Sequence, residues 1–277
     1  MPTKKYAVIG HPIGHSLSPF IHKKLFEIDK IDAQYVALDI ADLDIEYSQK
    51  LRTLDGYNVT IPHKQNIITK LDRISEKATL CNSVNTVKNT DKAEGYTTDG
   101  FGFSAAVKAK CNGVLPKNVL IFGYGGAARA IAFECIQNGC SVHFAVREKS
   151  IDNALVLAKE INTKLSVTSN VYPTDNIPDD VQFDLVVNAT PVGMYPNTDA
   201  CVVPDSIIKK ASAVFDSVYN PLETVLLKKA KVYGKNAIGS IDMLVYQAAK
   251  AHEIWVCAKY TDSQLQTICK LTADKLR

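Results

Sequence analysis

Short apolar segments of strand type alternate with segments of helical apolar spacing along the first hundred residues of the chain. Ser18 followed by Pro19 is typical of a helix start, with Ser18 as the N-cap. The polar segment 89–92 separates two strand-like segments and is typical of a hairpin turn. The pattern therefore predicts strands at 5–10, 34–40, 57–61, 83–88 and 93–98, with helices at 19–28 and 43–54.

The rest of the chain shows the same alternation with longer apolar runs. Residues 119–122 are apolar throughout, which is typical of a parallel strand covered on both faces. A glycine-rich turn follows, and apolar residues then recur at helical spacing from Ala128 to Ile136, up to Gly139. The remaining pattern predicts strands at 142–146, 183–188 and 213–218, and helices at 100–110, 223–233, 241–258 and 263–275.

This alternation of strands and helices predicts an α/β fold with two α/β domains. We expect residues 1–100 to form a mixed-sheet domain and residues 101–239 to form a Rossmann-like, dinucleotide-binding domain. The helices predicted in 240–277 have no strand partners of their own, so we expect them to complete the first domain. Ligands would then meet in the cleft between the two domains.

Composition argues against several classes of protein. The 277 residues are 46% hydrophobic, but no apolar run approaches the length of about 20 residues that a membrane helix needs. A net charge of +3 without a dense Lys/Arg block argues against a nucleic-acid partner. The seven cysteines contain no CxxC pair, and the six histidines show no zinc-ligand spacing. We therefore expect a cytoplasmic protein without a metal site, and the apolar segment near the start is too short for a signal peptide.

The segment 56–64 combines a strand end with three polar side chains. Asn58 and Thr60 are two positions apart, so both side chains point to one face of the strand. Pro62 ends the strand, and Lys64 follows at the rim where open α/β sheets bind ligands. The segment therefore directs an amide, a hydroxyl and an ammonium group toward one place. A strand that ends in a solvated lysine would show the same pattern.

The glycine-rich turn reads GYGGAAR over residues 123–129, with Ala128 in the third small position of a dinucleotide-binding turn. Small residues let the backbone amides approach a pyrophosphate, and the dipole of the following helix favours its negative charge. The predicted order of strand, turn, helix and strand is the context that such a turn requires. A tight turn in an unliganded α/β domain remains the alternative.

Seven segments together resemble the shikimate dehydrogenase family over essentially the whole chain, in the family's order. They are GHPIGHSLSP at 10–19, NVTIPHK at 58–64, VNTV at 84–87 with TDGFG at 98–102, the glycine turn, NATPVGM at 188–194, VYNP at 218–221 and MLVYQAA at 243–249. Linked segments at this spacing are far more specific than any one of them. The resemblance implies a reversible, NADPH-dependent reduction of 3-dehydroshikimate to shikimate, in the aromatic amino-acid pathway that leads to chorismate.

The resemblance also implies roles for individual residues. Lys64 and Asp99 correspond to the catalytic pair, which suits a reaction that builds charge on a ketone oxygen and must meet it with a proton. A helix N-cap for Asp99 and a hairpin position for Asn85 are the structural alternatives. The implied substrate contacts are Ser16, Ser18 and Tyr219 at the carboxylate, and Asn58, Thr60, Asn85 and Gln247 at the ring hydroxyls.

The implied cofactor is NADP, and one segment of the chain leaves NAD as an alternative. Arg147 and Lys149 suit a 2′-phosphate, whereas Glu148 would repel it and could accept hydrogen bonds from a free ribose. The implied cofactor contacts are Gly123, Gly125, Gly126, Ala127, Arg147, Lys149, Thr190, Met194, Ser217, Gly239 and Ser240.

Two other functions compete with this interpretation. An NAD-linked quinate/shikimate dehydrogenase paralogue would differ in cofactor and in the pocket around the substrate carboxylate. A non-catalytic dinucleotide-binding protein would not need both Lys64 and Asp99. We expect shikimate and 3-dehydroshikimate as small-molecule partners, neither nucleic acid nor membrane as a partner, and a monomer or a homodimer.

Overall fold

The computed structural model describes residues 3–14, 16–44, 47 and 50–276. The chain divides into two compact units, one formed by Met1–Gly102 with Leu244–Lys275 and the other by Phe103–Met243. The described part of each unit contains a six-stranded sheet. The two-domain α/β fold predicted from the sequence is therefore confirmed.

The sheet of the first unit is mixed, in the order β2-β1-β3-β5-β6-β4. Strand β1 runs parallel to β2 and β3, whereas β5 is antiparallel to β3 and β6. The strands are β1 (Lys4–Gly10), β2 (Ala33–Asp39), β3 (Gly56–Val59), β4 (Arg73–Ile74), β5 (Thr86–Asn89) and β6 (Ala93–Tyr96). Helices α1 (Ser18–Asp29), α2 (Glu76–Cys81), α8 (Ile241–Val256, from Leu244 onward) and α9 (Asp262–Asp274) belong to this unit.

Side-chain alternation gives this sheet two buried faces. Alternate residues such as Ile9 and Tyr57 enter one apolar cluster, whereas Tyr6 packs with Phe26 and Trp255 on the opposite face. Gly56 lies under Trp255, and a Cβ at this position would be only 2.6 Å from the indole Nε1. The missing side chain lets that indole nitrogen donate a hydrogen bond to the Val87 carbonyl oxygen at 2.9 Å. Helix α8 is thus anchored directly on the backbone of the sheet.

The sheet of the second unit is parallel throughout, in the order β12-β11-β10-β7-β8-β9. This is the Rossmann order, which reverses between β7 and β10, and such reversals create a crevice at the carboxyl ends of the strands. The strands are β7 (Asn118–Phe122), β8 (Ser141–Val146), β9 (Val171–Pro173), β10 (Leu185–Asn188), β11 (Ala213–Asp216) and β12 (Asn236–Ile238).

The described helices of the second unit are α3 (Asp99–Lys110, from Phe103 onward), α4 (Gly126–Gln137), α5 (Ile151–Leu165), α6 (Asp205–Lys210) and α7 (Val225–Val232). Helix α3 precedes the first strand of this sheet, and the other four lie between its strands in sequence. Short 3-10 segments occur at Leu51–Thr53, Asn66–Lys70 and Glu148–Ser150. Within the described ranges, no helix is long and apolar enough to cross a membrane.

The hydrophobic pattern missed several short elements and one long helix. Strands β4, β9 and β12 have two or three residues each and lie at sheet edges, where so short a segment leaves no periodic signal. Helix α5 was also missed, although Ala154, Leu157, Ala158 and Ile161 form a buried face at helical spacing. The predicted helix at 43–54 falls partly outside the described residues, and its described end is the 3-10 segment Leu51–Thr53.

The predicted N-cap role of Ser18 is wrong. Helix α1 begins at Ser18 itself, and Leu17 occupies the N-cap position without a side-chain hydrogen bond. Burial raises the pKa of the Tyr35 phenol on β2, and the nearby Ser18 side chain acts in the opposite direction. The Ser18 side chain therefore interacts with a neighbouring strand and does not cap its own helix.

A buried histidine pair joins α1 to α8 within the first unit. The Nδ1 atom of His22 is 3.0 Å from Nε2 of His252, whose Nδ1 is 2.8 Å from the Asp29 carboxylate. Both histidines are fully buried. Burial lowers the pKa of His22, with His252 as a further cause. Burial also lowers the pKa of His252, although Asp29 acts in the opposite direction. Folding therefore keeps both rings neutral.

These depressed pKa values predict a loss of stability on acidification. The unfolded chain binds protons on these histidines near pH about 6.5, whereas the folded protein does not. The stabilisation that the two neutral histidines contribute should be complete above that pH. It should decrease as the pH is lowered toward the pKa values of these histidines in the folded protein. The slope should reach up to about 1.4 kcal/mol per pH unit for each histidine. Urea unfolding at a series of pH values measures this slope. A His22→Gln variant should show a shallower slope than the wild type. An unchanged slope would contradict a lowered pKa of His22 in the folded protein.

Candidate active site

An ion pair between Lys64 and Asp99 lies at the carboxyl-terminal end of β3. Lys64 follows the turn after this strand, and Asp99 is the first residue of α3. The Lys64 ammonium donates to Asp99 Oδ2 at 2.6 Å, and the two side chains are only 19% and 10% exposed. A carboxylate in the first turn of a helix is also favoured by the helix dipole. Because an ammonium has three N–H donors, Lys64 keeps hydrogens for another oxygen.

Asn85 orients the carboxylate of this pair. Its Nδ2 donates to Asp99 Oδ1 at 2.7 Å, and its Oδ1 accepts from the backbone N–H of Thr98 at 2.7 Å. The same Nδ2 lies 3.0 Å from the Thr98 hydroxyl and 3.3 Å from Gln247 Oε1. Gln247 is fixed in turn, since its Nε2 donates to the Leu244 carbonyl at 3.0 Å. Both oxygens of Asp99 are therefore held, one by the lysine and one by a buried amide.

Asn58 extends this network along the sheet. In the antiparallel pair of β3 and β5, Asn58 lies opposite Thr86. Its Nδ2 is 3.1 Å from both the Thr86 hydroxyl and the Asn85 carbonyl oxygen. Its Oδ1 accepts a hydrogen bond of 2.7 Å from the Tyr35 hydroxyl. Thr60, two residues further on, is half-buried. Among the predicted site residues, the structure thus brings Lys64, Asp99, Asn85, Gln247 and Asn58 into one set of hydrogen bonds.

The two serines lie at the start of α1, and Tyr219 belongs to the other unit. The backbone N–H of Ser18 donates to the hydroxyl of Ser16 at 3.2 Å, and both residues are half-buried. Burial raises the pKa of the Tyr35 phenol, and the nearby Ser18 side chain acts in the opposite direction. Tyr219 follows β11 in the second unit, where burial raises the pKa of its phenol.

The second unit contains a cavity of about 410 Å³ where the order of its strands reverses. Volumes of this size are typical of small-molecule sites. Its lining includes Gly123 and Gly125 of the glycine turn, Arg147 after β8, and Thr190 after β10. The other predicted cofactor residues are described but lie outside this lining: Gly126, Ala127, Lys149, Met194, Ser217, Gly239 and Ser240.

The glycine turn leaves open space before helix α4. Gly123 has a φ of +107°, and a Cβ there would be 3.0 Å from the Thr190 methyl carbon, so the position requires glycine. Cβ atoms at Gly125 and Gly126 would meet nothing within 4 Å. The space therefore lies directly in front of the helix N-terminus, where unpaired backbone N–H groups suit an anion.

A buried carboxylate supports the side of this cavity at which Thr190 lies. Asp216, fully buried at the end of β11, accepts from Asn188 Nδ2 at 2.9 Å and from the Thr224 hydroxyl at 2.6 Å. Burial raises its pKa, although these hydrogen bonds act in the opposite direction. Asn188 Oδ1 then accepts from both the N–H and the hydroxyl of Thr190, at 3.0 and 2.7 Å. Asp216 was not among the site residues predicted from the sequence, because its only signal is that of a single acidic residue at the end of an apolar strand.

The charged residues near the glycine turn differ in their exposure and in whether they line the cavity. Arg147, Glu148 and Lys149 are all exposed, and of these Arg147 lines the cavity. Arg129, the last residue of the glycine-turn segment, is buried and forms an ion pair with Glu160. Arg147 is therefore the arginine that is placed to meet a ligand in the cavity.

Comparisons with known proteins agree with this architecture. Residues 8–87 match the model of the shikimate dehydrogenase substrate binding domain. The chain is 41% identical over 263 residues to "Shikimate dehydrogenase (NADP(+))" of Methanococcus maripaludis strain C6, which covers 93% of each chain. The chain belongs to the shikimate dehydrogenase family.

Solved structures of the shikimate dehydrogenase family have the same fold. A crystal structure of shikimate dehydrogenase in complex with NADP⁺ superposes with a TM-score of 0.90 at 38% identity, covering 99% of this chain and 96% of that one. The Listeria monocytogenes shikimate 5-dehydrogenase in complex with shikimate and NAD gives a TM-score of 0.87 at 31% identity, covering 97% and 96%.

The glycine turn predicts that alanine is destabilising at one of its glycines and tolerated at another. Gly123→Ala should destabilise the protein by about 1–3 kcal/mol, because alanine at positive φ is strained and its Cβ would crowd Thr190. Gly125→Ala, the matched control, meets open space at an ordinary φ and should leave stability within about 0.5 kcal/mol of the wild type. Urea unfolding of the two variants measures the difference. Equal stability of both would mean that Gly123 is not constrained as described.

Proposed function

We propose that this member of the family is an NADP-dependent shikimate dehydrogenase that reversibly reduces 3-dehydroshikimate to shikimate. The observation that carries the proposal is the ion pair of Lys64 and Asp99, held by Asn85 beside a set of amides and hydroxyls. A relative that is 41% identical over 93% of its length is named shikimate dehydrogenase (NADP(+)). A dehydrogenase for a polyhydroxylated ring needs such donors and acceptors around a proton-transfer group.

In this proposal the first unit binds the substrate and the second binds the dinucleotide. Residues 1–100 with 240–277 would form the substrate domain, and residues 101–239 the cofactor domain. Ser16 and Ser18 would hold the carboxylate, with Tyr219 nearby. Ring hydroxyls would be bound by the groups whose hydrogen bonds converge near the ion pair, namely Asn58, Thr60, Asn85 and Gln247.

Lys64 would move the proton that accompanies hydride transfer. The nicotinamide, when bound, supplies or accepts the hydride. As charge develops on the carbonyl oxygen, the Lys64 ammonium is placed to donate a proton to it, and in the reverse direction the amine accepts the proton from the alcohol. Asp99 keeps the ammonium aimed by accepting its hydrogen bond at 2.6 Å. Asn85 prevents rotation of that carboxylate by holding its other oxygen at 2.7 Å.

The backbone N–H groups and cationic side chains around the cavity of the second unit suit an NADP molecule. Open space before α4 would accept the pyrophosphate against backbone N–H groups. Arg147 would grip the 2′-phosphate as a planar fork, with Lys149 as a second cation. Glu148 is exposed, so its carboxylate can turn to solvent, where its repulsion of the phosphate is weak. Gly126, Ala127, Thr190, Met194, Ser217, Gly239 and Ser240 complete the proposed contacts.

The proposal extends to the cellular compartment, the partners and the oligomeric state. The seven cysteines are free thiols, as expected for a protein in the reducing cytoplasm. The net charge of +3 offers little attraction for nucleic acid. We propose a cytoplasmic enzyme that acts as a monomer or a homodimer.

One assay tests the function directly. Shikimate and quinate are each offered with NAD⁺ and with NADP⁺, and reduction of the cofactor is followed by absorbance. Oxidation of shikimate with NADP⁺ at the highest kcat/KM is the expected result. A preference for quinate with NAD⁺ would favour the paralogue, and no turnover with any pair would favour a non-catalytic binding protein.

Loss of the Lys64 side chain should affect turnover more than binding. Lys64→Ala should lower kcat by about 10²–10⁴-fold, with a smaller change in KM for shikimate, because the ammonium acts mainly in the transition state. Lys24→Ala, which removes an exposed lysine paired with Glu27, serves as the control and should leave kcat unchanged. Steady-state kinetics measure both variants. A kcat near the wild-type value in Lys64→Ala would refute the catalytic assignment.

Cofactor preference should depend on Arg147 and Glu148 in opposite directions. Arg147→Ala should reduce kcat/KM for NADP⁺ more than for NAD⁺, since the arginine contacts the 2′-phosphate that NAD⁺ lacks. Glu148→Thr should tighten NADP⁺ and leave NAD⁺ the same or weaker, because it removes a like charge near the phosphate. The ratio of the two kcat/KM values is the measurement. An equal loss for both cofactors in Arg147→Ala would show that the 2′-phosphate lies elsewhere.

A further inference from the structure

A chain of buried and half-buried polar side chains runs behind Asn58, through residues that the proposed reaction does not use. It starts at Asp29 at the end of α1, whose Oδ2 is 2.8 Å from Nδ1 of His252 and accepts from the Tyr260 hydroxyl at 2.6 Å. His252 Nε2 is 3.0 Å from Nδ1 of His22. The His22 ring lies flat on the ring of Tyr35, with centroids 4.1 Å apart and planes at 6°.

The hydrogen-bond partners assign the protons of this chain. An ionised Asp29 only accepts, so His252 Nδ1 carries a hydrogen and donates it. Because burial keeps His252 neutral, its Nε2 is an acceptor, and His22 Nδ1 must be the donor to it. Each ring therefore has one orientation that satisfies its neighbour. The His22 ring that stacks on Tyr35 is consequently held by two successive hydrogen bonds, from His22 to His252 and from His252 to the Asp29 carboxylate.

Tyr35 connects this chain to one predicted substrate contact, Asn58. Its hydroxyl donates to Asn58 Oδ1 at 2.7 Å. Burial raises the pKa of this phenol well above its ordinary value, while the nearby Ser18 side chain acts in the opposite direction. The phenol therefore stays protonated and remains a donor to Asn58.

This link decides which atoms Asn58 can offer to a ligand. Its Nδ2 is used by the Asn85 carbonyl and the Thr86 hydroxyl, both at 3.1 Å. Its Oδ1 has two lone pairs, and Tyr35 occupies one of them. The remaining lone pair can accept a hydrogen bond from a substrate hydroxyl only while the amide keeps this orientation. Without the Tyr35 hydroxyl, the amide would be held only through its Nδ2.

The proposed function is the basis of the inference. We propose that Tyr35 is a positioning residue for the substrate: its hydroxyl holds the oxygen of the Asn58 amide in place, and the chain of His22, His252 and Asp29 holds its ring. Tyr35 itself need not touch the substrate. The structural alternative is a tyrosine that only fills the core, and that role would require the ring but not the hydroxyl.

Tyr35→Phe separates these two roles, because it keeps the ring and removes the oxygen. We expect KM for shikimate to rise roughly tenfold, with kcat changed by less than about threefold and KM for NADP⁺ unchanged. Tyr6→Phe is the matched control. Tyr6 lies directly opposite Tyr35 on the neighbouring strand and belongs to the buried cluster against which Tyr35 packs, but its charged neighbour is Asp55 rather than a site residue. This control should keep the wild-type KM.

A double-mutant cycle tests whether Tyr35 acts through its neighbours in the site. In an Asn58→Ala background, Tyr35→Phe should raise KM for shikimate clearly less than it does in the wild type, since its main target is already gone. Circular dichroism and urea unfolding establish that each variant is folded before kinetics are compared.

The outcomes are distinguishable. An unchanged KM in folded Tyr35→Phe, an equal rise in Tyr6→Phe, or fully additive effects with Asn58→Ala would each overturn the inference while wild-type shikimate oxidation stands. A wild type that neither oxidises shikimate with NADP⁺ nor binds it in calorimetry would overturn the proposed function and, with it, this inference.

Discussion

The ion pair of Lys64 and Asp99 imposes the main constraint on the first unit. Two charges that are largely removed from water are costly unless they meet at close range and their other atoms are hydrogen-bonded. Here the pair is at 2.6 Å, the second carboxylate oxygen is held by Asn85, and the carboxylate lies in the first turn of α3. The network of Asn85, Asn58 and Gln247 is therefore the condition under which this pair can exist.

Both units use the same physical device at their candidate sites. A buried carboxylate orients an amide, and the amide orients groups that can meet a ligand. In the second unit Asp216 holds Asn188, which holds Thr190 at the wall of the cavity. In the first, Asp29 acts through two histidines and Tyr35 on Asn58. Polar networks of this kind are rigid where a change of orientation would leave a buried group unpaired, although in the first unit Nε2 of His22 has no hydrogen-bond partner among the described residues.

Local sequence signals succeeded where the structure depends on near neighbours. Strand β7, the glycine turn and helix α4 were predicted together, and the positive φ at Gly123 explains why the turn needs glycine. Alternation placed Asn58 on the predicted strand at 57–61, but β3 ends at Val59 and Thr60 lies beyond it. The same reasoning failed at Ser18, which is the first residue of α1 with Leu17 at the N-cap, and at the two- or three-residue edge strands, which only pairing with a neighbour defines.

The sequence by itself determined the fold class, the Rossmann turn and the chemical groups of the site, and the resemblance of its segments pointed to the family. Tertiary structure alone decided how these groups are held. His22 and His252 are 230 positions apart, and Asn188 and Asp216 meet only because β10 and β11 pair in register. Such contacts depend on how helices dock and how strands align. No local pattern encodes them, because the free energy that selects them comes from burying distant polar groups together.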